Sequence, residues 1–122
     1  MHELGVAIEI LRASRRAVAR LGPGKIAWVR IAVGELSAVE PALLAHAWQA
    51  IVADSPHAGA ALDVEWRPAR QVCLGCGADS GRGSGTWLRM CGECGGVLKV
   101  EGGDALDLIQ VSFDALDRPE AA

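Results

Sequence analysis

Two short units, Cys73-Leu74-Gly75-Cys76-Gly77 and Cys91-Gly92-Glu93-Cys94-Gly95, constrain this 122-residue chain more than any other feature. Each is a C-x-x-C-G turn, and fourteen residues separate Cys76 from Cys91. Two thiolates three positions apart on a tight turn reach one ion at about 2.3 Å, and a second such turn completes a tetrahedron. The glycine after each pair admits left-handed backbone angles, which lets nearby amides point at the sulfurs. From Gln71 to about Glu101 the chain is rich in glycine and poor in large apolar side chains. Such a segment builds no core of its own, so something other than burial has to hold it. Zinc on four thiolates, with no position left for water or substrate, fits best and makes the site structural. Two disulfides or an iron-sulfur centre are the alternatives the spacing leaves open.

The flanking segments read as pieces of one α+β domain. Leu4, Ala7, Ile8, Leu11 and Val18 repeat at helical spacing, and Gly22-Pro23-Gly24 stops the helix. In "KIAWVRIAVGEL" Ala27, Val29, Ile31 and Val33 alternate with Ile26, Trp28, Arg30 and Ala32, a strand with one buried face. Ser37 and Glu40 have capping-box spacing, Pro41 suits a first turn, and Leu44, Ala47, Trp48 and Ile51 extend a second helix from about Glu40 to Ala53. "ALDVEWR" alternates again and stops at Pro68, while "ALDLIQVSF" has the β-formers of a strand that rejoins the first sheet. The resulting fold class is α+β, a small mixed sheet with two helices and an inserted four-cysteine, zinc-ribbon-like domain. The boundaries expected are 1–69 for the first part of the main domain, 70–101 for the insertion, and 102–122 for the return strand and a frayed "DALDRPEAA" tail. The loop "GADSGRGSGTWLRM" is expected to be a surface with Trp87 as its main apolar anchor.

Charge removes several functions. The net charge is −3 and the pI about 5.5, which lacks the signature of a nucleic-acid binder. Between Arg67 and Glu101 five basic residues face three acidic ones, and a four-cysteinate zinc site adds about −2. Charged residues interrupt the first twenty positions, so no signal-peptide core is present, and no run approaches the ~20 apolar residues of a membrane span. A cytoplasmic protein without nucleic-acid or membrane partners is the expectation, in a compartment where thiols stay reduced. No serine or cysteine nucleophile sits in a recognisable motif, which argues against an enzyme.

The chain starts "MHEL". The Met1 amine, the His2 amide nitrogen and the His2 imidazole can chelate one ion, with Glu3 as a further donor. Nitrogen-rich sets of that kind suit Ni(II) and Cu(II). Taken alone, the same residues have plainer roles: Glu3 favours the helix macrodipole, and His2 is a terminal residue. His46 and His57 are isolated histidines, and Glu40 has its capping role.

The "MHEL" helix, "VGELSAVEPALLAHAW", the two cysteine knuckles and the "GGDALDL" strand occur in an order that resembles the HypA/HybF family of hydrogenase nickel-incorporation proteins. The resemblance covers nearly the whole chain. It implies a nickel-binding α+β domain with an inserted zinc domain, Ni(II) as transferred cargo and Zn(II) as a structural cofactor. It implies nickel on His2 and Glu3 with amino-terminal backbone nitrogen, Glu40 at a position that assists the site, and zinc on Cys73, Cys76, Cys91 and Cys94. The implied activity is metallochaperone delivery of nickel to the large subunit of nickel-iron hydrogenase, with a HypB-type GTPase as partner and, in some bacteria, service to urease maturation. The competing reading is a zinc-ribbon interaction adaptor that transfers no nickel.

Some relatives carry histidines beside the cysteine pairs, and this chain has none after His57. The zinc site is therefore expected to be all-thiolate, with a ligand set that does not change between neutral and mildly acidic pH. X-ray absorption at the zinc edge should find four sulfurs at both, and nitrogen scatterers at the acidic pH would sink the expectation.

Overall fold

The computed structural model describes residues 2–80 and 86–116. Helix α1 (Glu3–Val18) runs on into a single 3-10 turn, Ala19–Leu21. Its buried apolar residues are Ala7, Ile10, Leu11 and Val18, whereas Leu4 and Ile8 of the expected stripe are exposed. The inward face is rotated because Ser14 occupies a core position. Its hydroxyl donates to the Ile10 carbonyl at 2.7 Å, so a polar group is satisfied inside its own helix.

Strand β1 (Gly24–Gly34) is followed by helix α2 (Pro41–Ala53), strand β2 (Ala61–Arg67), the short strands β3 (Arg70–Cys73) and β4 (Leu98–Glu101), and strand β5 (Leu106–Ala115). β1 is the centre of a three-stranded sheet ordered β2-β1-β5, parallel to β2 and antiparallel to β5. A parallel pair cannot be joined by a hairpin, and α2 supplies the crossover. β3 and β4 form a separate antiparallel pair. The insertion between β2 and the returning strand thus stands as the sequence suggests, and its own strand pair was not foreseen.

Two details depart from the periodicity. Ile26 pairs with Phe113 and Trp28 with Ser112, which leaves Ala27 as an extra residue in β1. That bulge turns Ile26 to the same core as Val29, Ile31 and Val33, where strict alternation sets it on the opposite face. Asp114 and Ala115, expected in the tail, pair with Lys25 and Gly24, so β5 is longer than "ALDLIQVSF". The tail from residue 117 onward lies outside the described residues.

The capping box is also corrected. Glu40 itself is the N-cap of α2, its carboxylate accepting from the Ala42 amide at 2.9 Å. Ser37 serves the preceding turn instead, donating to the Gly34 carbonyl and accepting from the Val39 amide. α2 buries Leu44, Trp48 and Val52 against β1 and α1. Trp48 is 1% exposed and donates its indole N–H to the Ala60 carbonyl at 2.9 Å, which lets a large aromatic ring enter the core with its polar edge satisfied.

His57 is 7% exposed, and its Nδ1 accepts from the Ile26 amide at 3.0 Å. An accepting Nδ1 requires the unprotonated ring. Burial, then the charges of Arg15 and Lys25, lower its pKa from the ordinary 6.5. The unfolded chain therefore takes up a proton at higher pH than the native one, and this group's contribution to stability declines as pH falls below about 6.5. The melting temperature should drop through mild acid in the wild type and drop less in His57→Gln, whose amide oxygen can keep the Ile26 bond. Equal slopes in the two proteins would place the acid sensitivity elsewhere.

Candidate metal centre

The two knuckles are near copies of one another. The Gly77 amide donates to the Cys73 carbonyl at 3.0 Å, and the Gly95 amide to the Cys91 carbonyl at 2.9 Å. Both glycines have left-handed φ, 76° and 74°, so the turns close where a side chain would be strained. Cys73 lies in β3, and the Leu74 amide donates to the Val97 carbonyl beside β4, so the strand pair carries one knuckle to the other.

The four sulfurs, Cys73, Cys76, Cys91 and Cys94, all lie within 4.8 Å of one another. Cys73 and Cys94 are 3.4 Å apart and Cys76 and Cys91 3.7 Å, too far for disulfide bonds of about 2.05 Å, and all four are free thiols. The Gly75 and Cys76 amides donate to the Cys73 sulfur at 3.3 and 3.4 Å, and the Glu93 amide to the Cys91 sulfur at 3.3 Å. Amides aimed at sulfur favour the thiolate over the thiol. They lower the Cys73 pKa to about 6, the Cys76 amide contributing most, while the hydrogen bond with Cys73 pushes Cys94 up to about 12. Four converging sulfurs with donors behind them suit a thiophilic cation that can take all four as thiolates. A methyl built on Gly96 would lie 3.1 Å from both the Cys73 and Cys94 sulfurs, so the cradle has no room for a side chain there.

The loop between the knuckles is held differently from expectation. Trp87 is 48% exposed and is not its apolar anchor. Gln71, 5% exposed, grips the loop instead: its Oε1 accepts from the Leu88 amide at 2.9 Å and its Nε2 donates to the Leu88 carbonyl at 3.0 Å. A polar residue opening the cysteine segment was the available signal, and nothing in its spacing marks the partner. Residues 81–85 of this loop lie outside the described residues.

At the amino terminus the structure separates roles that the sequence leaves together. His2 precedes α1, is partly exposed, and makes no side-chain cap hydrogen bond. It lines a groove of about 440 Å³ with Val6, Ile10, Leu106 and Leu108. Burial, then the positive charge of the chain terminus, lower its pKa, which favours the neutral ring. Glu3 is 8% exposed, and its Oε2 accepts from the Glu40 amide at 3.1 Å, tying the start of α1 to the start of α2. The charge of the chain terminus and that amide hold its carboxyl at about 2. The Glu40 carboxylate is occupied in capping α2. Met1 lies outside the described residues. His46 is exposed on α2, and His57 belongs to the core. Among the described residues, the four cysteines are the group whose His, Cys, Asp or Glu ligand atoms converge in the number a metal needs.

A mixed sheet under two helices, with a four-cysteine hairpin inserted before the last strand, defines a small metal-binding protein of the α+β class. The family model for hydrogenase/urease nickel incorporation, the HypA metallochaperones, matches residues 1–113. Hydrogenase maturation factor HypA of Nitrosospira multiformis is 30% identical over 93% of this chain and 97% of its own. The protein of the same name from Rhodobacter capsulatus is 34% identical over 87% and 93%. The solution structure of the Ni metallochaperone HypA from Helicobacter pylori covers 95% of this chain and 100% of its own, with a TM-score of 0.61 at 21% identity, a likeness of fold. This chain belongs to the HypA family of nickel metallochaperones, which are hydrogenase maturation factors and not enzymes. Among the described residues no helix is long and apolar enough to cross a membrane.

Gln71→Ala removes both bonds to Leu88 and leaves a buried amide short of an acceptor, a loss of about 1–3 kcal/mol. The metal-loaded variant should melt lower and exchange the Leu88 amide hydrogen faster. Unchanged exchange at Leu88 would mean that something else holds the loop.

Proposed function

We propose that this chain binds Ni(II) at its amino terminus through His2 and Glu3 and delivers it to the large subunit of nickel-iron hydrogenase. A HypB-type GTPase is the working partner in this reading, the cytoplasm is the site of action, and urease maturation is a second possible destination for the metal. The observation that carries it is the state of His2. The imidazole stands at the first turn of α1, partly exposed, uncommitted to capping, and biased toward the neutral form that ligates metal. The family match over residues 1–113 supports nickel as the cargo.

Glu3 is placed to serve twice. Its Oε2 accepts from Glu40, which fixes the terminus, and its neighbour is the candidate imidazole. Glu40 enters as a nickel donor at a price in helix capping, since its carboxylate must leave the Ala42 amide first. A partly exposed terminal site lets ligands exchange one at a time with an incoming partner, which suits a donor that has to release its metal. Cys73, Cys76, Cys91 and Cys94 hold zinc in this reading, and zinc when bound supplies a cross-link between the knuckles in place of a core. The chain then divides into a nickel-binding part, residues 1–69 with 102–122, and a zinc-binding part, residues 70–101.

Calorimetric titration of Ni(II) into zinc-loaded protein with a native, untagged terminus should show a site that is lost in His2→Ala while zinc content stays constant. Equal nickel binding in both proteins would favour the zinc-ribbon adaptor.

A further inference from the structure

The chain enters the cysteine hairpin through Pro68-Ala69 and leaves it through Gly102-Gly103-Asp104. Passages between separately organised units are commonly exposed and sparsely bonded. These two are neither. Ala69 is 1% exposed, and Gly103 is buried. Both are fastened to the same three residues at the end of β1: the Ala69 amide donates to Glu35 Oε1 at 2.9 Å, the Leu36 amide to the Gly103 carbonyl at 2.6 Å, and the Gly34 amide to the Ala105 carbonyl at 2.7 Å.

The packing is as close as the bonding. A methyl on Gly34 would lie 2.1 Å from the Gly103 carbonyl oxygen, and one on Gly103, whose φ is 79°, would lie 2.7 Å from the Ala69 Cβ. The entering and leaving strands therefore touch each other as well as the body. Glu35 differs from the rest of this joint because it acts through a side chain. Its carboxylate reaches thirty-four residues along the sequence to hold the entering strand, where the other bonds are backbone to backbone.

We propose that Glu35 is a positioning residue that locks the cysteine hairpin in one orientation on the sheet and helices. The joint is a clasp, with Gly34 and Gly103 as the surfaces that close and the Glu35 carboxylate as the catch. It sets where the hairpin's outer surface stands relative to α1, and it does so whatever metal the hairpin carries or whatever the amino terminus binds.

The test is backbone ¹⁵N relaxation on the full zinc-loaded chain, with zinc content measured in parallel. In the wild type, amides of the hairpin and of the sheet should report one rotational correlation time. Glu35→Ala should split them, the hairpin amides shifting to a shorter time with the sulfur-bonded amides of Gly75, Cys76 and Glu93 unshifted. Glu35→Gln keeps an oxygen for the Ala69 amide and should behave as wild type. If Glu35→Ala does not fold, Gly103→Ala, which forces Ala69 away while leaving Glu35 intact, should give the same split. Independent tumbling already in the wild type, a single time in Glu35→Ala, or a split in Glu35→Gln equal to that of Glu35→Ala would each overturn the assignment.

Discussion

Every element of the body leans on β1. It is the one strand of the described sheet with partners on both sides, β2 running parallel and β5 antiparallel. Ile26, Val29, Ile31 and Val33 supply the sheet's contribution to the core, and α1 and α2 close over them. Because a parallel partner can be reached only by a crossover, α2 has no choice but to span the sheet between β1 and β2. Its own packing, with Leu44 and Trp48 fully buried, follows from that route. The position of Glu40, and so of its amide toward Glu3, is a further consequence of where α2 must start.

The cysteine hairpin obeys a different rule. Its two strands of four residues bury little, and its order comes from turn geometry, converging sulfurs and the Gln71 clamp. Arg70 adds ion pairs to Asp79 and Glu101 at 3.1 and 3.2 Å, but these are exposed and each is worth about 1 kcal/mol or less. Apolar burial holds the body together, and ligation is suited to hold the insertion. The two schemes meet at the end of β1, where the contacts are backbone atoms in van der Waals proximity.

Legibility in the sequence followed the range of the interactions. α1, α2, β1, β2 and β5 are carried by apolar periodicity over seven residues or more, and all were placed from it. The four cysteines were legible because their chemistry fixes their spacing. What escaped is set by one-residue events and long-range polar contacts. The bulge at Ala27 inverts the parity of Ile26, and Ser14 rotates the buried face of α1 away from Leu4 and Ile8. Gln71 and Glu35 bond to partners seventeen and thirty-four residues away, and no local pattern announces such pairs. At the amino terminus His2 and Glu3 read as a pair, whereas the fold gives the first an open groove and the second a buried hydrogen bond.

β5 follows the insertion in the chain, and this has a consequence for biosynthesis. A growing chain presents α1, β1, α2 and β2 first, with the β5 side of β1 carrying unpaired amides and carbonyls. All four cysteines leave the ribosome before the strand that covers that edge. The insertion is thus made while the body is still incomplete, and ordering its knuckles shortens the loop that β5 must close, lowering the entropy lost when the last strand docks. A metal captured early would speed the completion of a sheet that it never touches.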